Sequence, residues 1–173
     1  MAASRPNKKS RIILGIDPGL ADTGFGVIEQ APDGLRCLEY GSIRTGKDRE
    51  LADRLIEINR QLSDIIDKYR PELACVEQLF FCTNVKTALL VGQARGVVLL
   101  TLAQKNLPHL EFTPLQIKQA ITGYGAADKK QMQQMVKMIL NLREIPKPDD
   151  AADALAMAVC AANCRIIDKT KTP

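Results

Sequence analysis

The sequence predicts an α/β domain in which helices cover a mixed sheet of about five strands. Two patterns predict that fold class. Three strand-like segments open the chain, close enough in sequence to pair as antiparallel neighbours, and helix-like segments then alternate with two further strand-like runs. The length of 173 residues suits one domain that can bury a core of useful size.

The opening strands are defined by apolar runs and by a turn. Residues 11–17 are almost continuously apolar, which is typical of a strand buried on both faces, and the turn "DPG" ends this run. Residues 25–30 and 35–44 predict the second and third strands, because "PDG" lies between them. We therefore expect the chain to begin with antiparallel pairing.

The rest of the chain alternates between the two element types. Apolar residues at helical spacing predict a helix over residues 48–69, which Pro71 ends. The remaining predicted elements, in chain order, are a strand at 73–78, a helix over 84–104, a strand at 109–113, and helices over 114–122, 129–140 and 150–163.

Two glycines in the longest predicted helix need an explanation. Gly92 and Gly96, in "GQARG", are one turn apart, and each costs roughly 1 kcal/mol relative to alanine inside a helix. Their spacing indicates that another backbone packs closely against this helix. That backbone belongs either to the same chain or to a second subunit.

Basic charge is concentrated in two places. The net charge is +4, and the four basic residues before position 12 account for all of it, so the remaining 162 residues are neutral. The segment 113–148 carries a second local excess of +4, from six lysines and arginines against Asp128 and Glu144. A polyanion would bind such a local basic surface, and a solvated helix face has the same composition.

Composition favours a cytoplasmic protein without a membrane span. The longest apolar stretches, near residues 88–103 and 151–162, are interrupted by glycine, glutamine, arginine or aspartate. The apolar run that follows the basic N-terminus is too short for a signal peptide. The five cysteines are odd in number and lie mostly in apolar patterns, so we interpret them as reduced thiols that pack in the core.

Acidic side chains occur where elements end or begin. Asp17 and Glu77 each close a short apolar strand, and ligands of such sheets usually bind at the carboxyl ends of parallel strands. Asp150 and Asp153 are three residues apart and share one face of a helix rich in small residues, which can lie close to the sheet. We expect these carboxylates to converge.

Each carboxylate also has a structural interpretation. Asp17 could simply form the turn, Glu77 could pair with a lysine, and aspartates are favoured near the start of a helix, which is how we interpret Asp149. Together, however, four clustered carboxylates repel one another unless cations neutralise them. Oxygen ligands of this kind suit Mg²⁺ or Mn²⁺, and two such ions about 4 Å apart support phosphodiester hydrolysis.

These motifs resemble one known family. The stretches "GIDPGLADTGFGV", "VEQLFFCTNVKTALLVGQARGV", "KQAITGYGAADKKQMQQMV" and "DDAADALAMA" are similar, in order, to those of RuvC-type Holliday junction resolvases. They cover nearly all of residues 12–163. The resemblance implies a ribonuclease H-like fold, a homodimer, and Mg²⁺-dependent paired nicking of four-way DNA junctions in recombination and repair, with Mn²⁺ as a substitute and two ions per active site.

The resemblance also assigns roles to individual residues. It implies that Asp17, Glu77, Asp150 and Asp153 are the catalytic, metal-binding acids. The implied DNA-binding residues are Lys118, Lys129, Lys130 and Phe80, and the implied dimer-interface residues are Gly92, Arg95 and Gly96. The family further implies the branch-migration proteins RuvA and RuvB as partners.

The expected domain organisation is simple. We predict a disordered basic arm over residues 1–11, one nuclease domain over 12–164, and a flexible tail over 165–173. Two other functions fit parts of the pattern. A sugar-kinase or actin-like ATPase has a similar first turn but needs two lobes, for which this chain is too short; a catalytically silent junction-binding module would lack some of the four acids.

Overall fold

The computed structural model describes residues 10–78 and 85–164, without the side chains of residues 85 and 86. The predicted arm up to residue 9, the predicted tail over 165–173 and Phe80 lie outside the described residues. Arg11, predicted both as the end of the arm and as the start of the first strand, is the first residue of that strand, where its Nε donates to Gln30 Oε1 at 2.7 Å.

Within the described residues the predicted elements are present, and their bounds differ by a few positions. The strands are β1 Arg11–Asp17, β2 Asp22–Ala31, β3 Gly34–Arg44, β4 Leu73–Glu77 and β5 His109–Phe112. The helices are α1 Leu51–Tyr69, α2 Val85–Gln104, α3 Pro114–Thr122, α4 Lys129–Ile139 and α5 Asp149–Asn163. The second strand begins before residue 25 because "DTG" continues the ladder, with Gly24 opposite Asp17.

The strands form one mixed sheet in the order β3-β2-β1-β4-β5. The first three strands pair antiparallel, whereas β4 pairs parallel with both β1 and β5. The carboxyl ends of β1, β4 and β5 therefore meet at one edge of the sheet. The predicted α/β class with a mixed sheet is confirmed.

Helices cover both faces of the sheet, and each face has its own core. Ile13, Leu73 and Cys75 pack with α3, α4 and α5 on one face. Leu14, Ile16 and their neighbours pack with α1 and α2 on the other face. Because side chains alternate along a strand, Asp17 and Glu77 continue the rows that face α5.

Glycines in the central strands let α5 lie very close to the sheet. A Cβ atom at Gly15 would overlap the carbonyl oxygen of Ala154, and one at Gly26 would lie 2.8 Å from the Leu155 side chain. The residues of α5 that face them are mostly alanine. The prediction that a helix of small residues lies close to the sheet is confirmed, and this contact fixes where the acids of α5 sit.

Helix α2 is apolar on both its covered and its uncovered sides. Ala94, Val98 and Leu102 are buried, whereas Leu89 and Leu100 are 63% and 54% exposed. The segment Thr87–Gln104 is long and apolar enough to cross a membrane by length and composition, a weak test that core helices of soluble proteins also pass. Arg95, near its middle, forms an ion pair with Glu111, and charged side chains are rare in the middle of membrane-spanning helices.

Candidate active site

Two acids stand side by side at the ends of neighbouring parallel strands. Ile16 pairs with Val76 in the register of β1 and β4, so that Asp17 and Glu77 are the next residues on the two strands. Both strands are buried up to these positions, and both carboxylates are only partly exposed. Two carboxylates therefore lie together at the carboxyl ends of neighbouring parallel strands, which is where ligands of such sheets usually bind.

Helix α5 brings the other two acids to the same edge. It begins at Asp149, after the N-cap residue Pro148, and its first turn lies against β2, where the backbone of Asp150 contacts Gly24. Asp153 follows one turn later and is partly exposed, while the helix from Ala154 to Ala162 is buried. Asp149 lies in the first helical turn, as expected from sequence.

The electrostatics shows that these carboxylates share one environment. Burial, together with the nearby charges of Glu77, Asp153 and Asp150, raises the pKa of Asp17 to about 7. Burial and the charge of Asp153 also raise the pKa of Glu77. Burial is likewise the main cause of the raised pKa of Asp150 and of Asp153. The ionised forms of all four acids are therefore disfavoured on their own, and a neutralising cation would stabilise them.

Lys129 supplies part of that compensation. It is the first residue of α4, whose N-cap Asp128 forms a capping box with Gln131. Its Nζ lies 3.0 Å from a carboxylate oxygen of Asp149 and 3.7 Å from one of Asp153. The hydrogen bond to Asp149, together with the neighbouring carboxylates, raises the pKa of Lys129. A lysine in the first turn, unfavourable for the helix dipole, is therefore explained by the acids that face it.

The donor set fits a hard divalent cation. All four acids offer carboxylate oxygens, which are the ligands that Mg²⁺ and Mn²⁺ prefer. In the described part of the chain, no three such side chains are close enough together to hold a single ion. Instead, Glu77 and Asp153 line one cleft, Asp150 lines an adjoining groove, and the charges of these three acids act on Asp17. Their chemistry and their mutual repulsion fit metal binding, and side-chain rotations would have to complete the coordination.

A cleft beside the acids contains two of the predicted DNA-binding lysines. It has a volume of about 220 Å³, and Glu77, Lys118, Lys129 and Asp153 line it together with apolar residues of α3, α4 and α5. Lys130 points elsewhere and lines a separate cleft with Tyr124 and Thr122. The structure thus brings Lys118 and Lys129 to the acids and leaves Lys130 outside that group.

Sequence analysis did not single out Arg44 and Lys147, two basic residues near Asp149 and Asp150, as site residues. An open groove of about 780 Å³ runs past Asp149 and Asp150 and is lined by Arg44, Lys147 and Lys129. Arg44 ends β3, where its Nε lies 3.2 Å from Asp22, and the charge of Asp22 contributes to the raised pKa of Asp150. The only signal in the sequence was the basic excess that includes Lys147, because the pairing of residues 22 and 44 depends on the register of the sheet.

The predicted interface residues of α2 fall into two groups. Cβ atoms at Gly92 and Gly96 would meet nothing within 4 Å, so within the described residues no backbone of the same chain packs against them. Arg95, in contrast, is only 18% exposed and pairs with Glu111 at 2.7 Å. The alternative that a backbone of the same chain packs against these glycines has no support within the described residues, and the second-subunit alternative stays a prediction.

An α/β fold with acids gathered at the carboxyl ends of parallel strands, beside lysines, defines a ribonuclease H-like nuclease. Residues 13–161 match the family model described as crossover junction endodeoxyribonuclease RuvC. The chain belongs to the RuvC family, whose members hydrolyse DNA and depend on a divalent metal.

Relatives with this name cover nearly the whole chain. The RuvC of Alkaliphilus oremlandii is 55% identical over 88% of this chain and 93% of its own length, and that of Halothermothrix orenii is 55% identical over 88% and 92%. Among solved structures, Thermus thermophilus RuvC in complex with a Holliday junction substrate matches with a TM-score of 0.83 and 34% identity, over 88% of this chain and 93% of that one. The yeast mitochondrial Holliday junction resolvase Ydc2, 19% identical over 92% of this chain and 82% of its own length, shares the fold with a TM-score of 0.62.

Proposed function

We propose that this protein is an endonuclease that resolves four-way DNA junctions by paired, symmetric nicks during recombination and repair. The observation that carries the proposal is the convergence of four carboxylates from β1, β4 and α5 beside a lysine-lined cleft. The relative from Thermus thermophilus, seen with a Holliday junction substrate, supports the choice of DNA.

The four acids are proposed to hold Mg²⁺, with Mn²⁺ as a substitute and two ions per site. Asp17 and Glu77 would bind from the sheet, and Asp150 and Asp153 from α5. When bound, the ions would activate a water molecule and stabilise the leaving oxygen of the phosphodiester. The raised pKa of Asp17 supports this role, because a carboxylate that is costly to ionise alone gains most from a bound cation.

The lysines are proposed to position the scissile strand. Lys118 and Lys129 line the cleft that also contains Glu77 and Asp153, so a phosphate drawn to the lysines would lie next to the acids. Lys129 would turn from Asp149 and Asp153 to the phosphate if a bound cation neutralised Asp153. Lys130, outside this cleft, is proposed to contact DNA farther from the cut, and Phe80 is proposed to contact DNA at the junction.

Two cuts of matching geometry require two active sites, and a two-fold dimer supplies them. We propose that α2 forms the dimer interface. Gly92 and Gly96 would let the backbone of the partner subunit approach closely, and the exposed side chains of Leu89 and Leu100 would be buried against that subunit. We also propose that the protein acts in the cytoplasm and associates with the branch-migration proteins RuvA and RuvB, as the family resemblance implies.

The decisive experiment compares Asp17→Asn with the wild-type protein on a labelled mobile four-way junction, a linear duplex and a flap, with and without Mg²⁺. We expect wild type to nick only the junction and only with Mg²⁺, and Asp17→Asn to bind the junction with unchanged affinity but to leave it uncut. Asp33→Asn, in the exposed turn before β3, is the matched control and should cut normally. Nicking by Asp17→Asn at the wild-type rate would refute the mechanism, and a wild-type protein that binds without cutting would identify a junction-binding module.

A further inference from the structure

Arg95 joins helix α2 to the strand that carries Glu77. Its Nη2 lies 2.7 Å from Glu111 Oε2, and its Nε donates to the backbone carbonyl of Glu77 at 3.4 Å. The other carboxylate oxygen of Glu111 lies 3.7 Å from His109 Nε2. The Arg95 side chain is only 18% exposed, so these contacts are shielded from solvent.

The contact lies on the face of the sheet opposite the acids. Glu111 is paired with Val76 in the register of β4 and β5, and residues paired in this way point to the same face. Val76 packs in the core of α1 and α2, whereas the Glu77 side chain points toward α5. Arg95 therefore contacts the main chain of Glu77 from the face of the sheet that α1 and α2 cover, and the face that carries the proposed catalytic acids stays open.

The end of β4 needs such a support. On the β5 side, the last bond runs from the Gln78 N–H to the Phe112 carbonyl at 2.9 Å. On the β1 side, the residue after Asp17 is Pro18, which has no N–H and cannot donate a further ladder bond toward Glu77. The Arg95 guanidinium supplies a donor to the Glu77 carbonyl where the ladder with β1 stops.

We infer that Arg95 is a positioning residue for Glu77: its guanidinium fixes the main chain at the end of β4 by bridging the Glu77 carbonyl and the Glu111 carboxylate. Arginine suits this role because its planar fork donates to two acceptors at once, whereas the single ammonium of lysine is a point charge. The inference rests on the proposed catalytic role of Glu77, and it adds a function to Arg95 beyond its place in the interface helix.

The test uses Arg95→Lys in the full-length dimer. Lysine keeps the charge beside Glu111 but loses the fork, so we expect stability, dimer mass and junction affinity to stay within about twofold of wild type while kcat on saturating junction falls about tenfold or more. Glu111→Gln keeps Arg95 but removes its anchoring charge, and a smaller fall in kcat at unchanged KM is expected. The matched control is Lys105→Met, which removes a partly buried cation next to the far end of α2, paired with Asp67 at 2.6 Å; its kcat should match wild type.

The outcomes separate this inference from the proposed function. Arg95→Lys and Glu111→Gln cutting at the rate of Lys105→Met would overturn the positioning role, as would losses of kcat that only parallel losses of stability or junction affinity. Glu77→Gln is measured in the same series. If Glu77→Gln is inactive and Arg95→Lys is fully active, only the inference fails; if Glu77→Gln cuts normally, the catalytic assignment itself fails.

Discussion

Gly24 lies directly against the backbone of Asp150. A Cβ atom at position 24 would overlap the Asp150 carbonyl oxygen and lie 2.9 Å from the Asp150 Cβ atom. Gly24 is also the register partner of Asp17 across β1 and β2. One glycine therefore sets the distance between a sheet acid and a helix acid of the proposed metal site.

Gly24→Ala should weaken both the fold and the cleavage activity. The added methyl group must push the start of α5 off the sheet, at a cost of about 1–3 kcal/mol in the free energy of unfolding, and it moves Asp150 away from Asp17. Urea denaturation and junction cleavage measure the two effects. Gly41→Ala is the control, because its Cβ would meet only the Phe25 ring, at 3.0 Å, and a side chain can shift. Equal effects of the two substitutions would contradict the special role of Gly24.

The metal-free protein should lose stability as the pH rises from about 4 to 7. Folding raises the pKa of Asp17 from 3.8 to about 7. In this range the folded protein keeps a proton that the unfolded chain has released, so the free energy of unfolding falls with pH. Asp17→Asn removes this contribution and should be more stable than wild type above pH 7, by up to about 4 kcal/mol.

Chemical denaturation across this pH range, in the presence of a chelator, measures the effect, with Asp33→Asn as the control. Added Mg²⁺ should stabilise wild type at pH 8 and leave Asp17→Asn nearly unchanged, because a ligand of the native state shifts the folding equilibrium only where it binds. Identical slopes of stability against pH for wild type and Asp17→Asn would contradict the assignment of the titration to Asp17.

Lys118→Ala and Lys129→Met should lower the rate of cleavage. Both lysines line the cleft with Glu77 and Asp153, and Lys129 also offsets the charge of Asp149 and Asp153. We expect kcat to fall about tenfold, with a smaller loss of junction affinity because only one phosphate contact is removed. Lys137→Met, in the last turn of α4, is the control. Rates that stay unchanged at several salt concentrations would mean that these lysines are ordinary surface residues.

Leu89→Asp should dissociate the proposed dimer. The Leu89 side chain is exposed on α2, and an aspartate in the same position would bury an unpaired charge in the interface. Ile56→Asp on α1 is a closely matched control, since Ile56 and Leu89 are 64% and 63% exposed. Analytical ultracentrifugation at micromolar concentration should show monomer for Leu89→Asp and dimer for Ile56→Asp.

Gly92→Leu tests the same interface by crowding it. Leucine favours the helix, and a Cβ atom at position 92 meets nothing within 4 Å among the described residues, so the monomer should fold normally. Close packing of a second backbone would be blocked, and sedimentation should again show monomer. A dimer of unchanged affinity would show that the glycines of α2 do not admit the partner chain.

The sequence by itself determined the class of fold and the identity of the four acids. Continuous apolar runs marked β1 and β4 as buried strands, and an acid at the end of each could be read without coordinates. The spacing of Asp150 and Asp153 in an alanine-rich helix predicted a helix that packs close to the sheet. These features could be predicted because hydrophobic periodicity and turn-forming residues are encoded within short stretches of the sequence.

Only the tertiary structure decided which residues meet across the chain. The antiparallel register places Asp22 beside Arg44, the lysine of α4 faces the acids of α5, and Arg95 of α2 reaches the back of Glu77. Each of these contacts depends on how two distant elements pack, and no local pattern encodes such a contact because the same charge on a helix could equally face solvent. Packing of α5 against a glycine-lined sheet brings four acids that are separate in sequence to the proposed metal site.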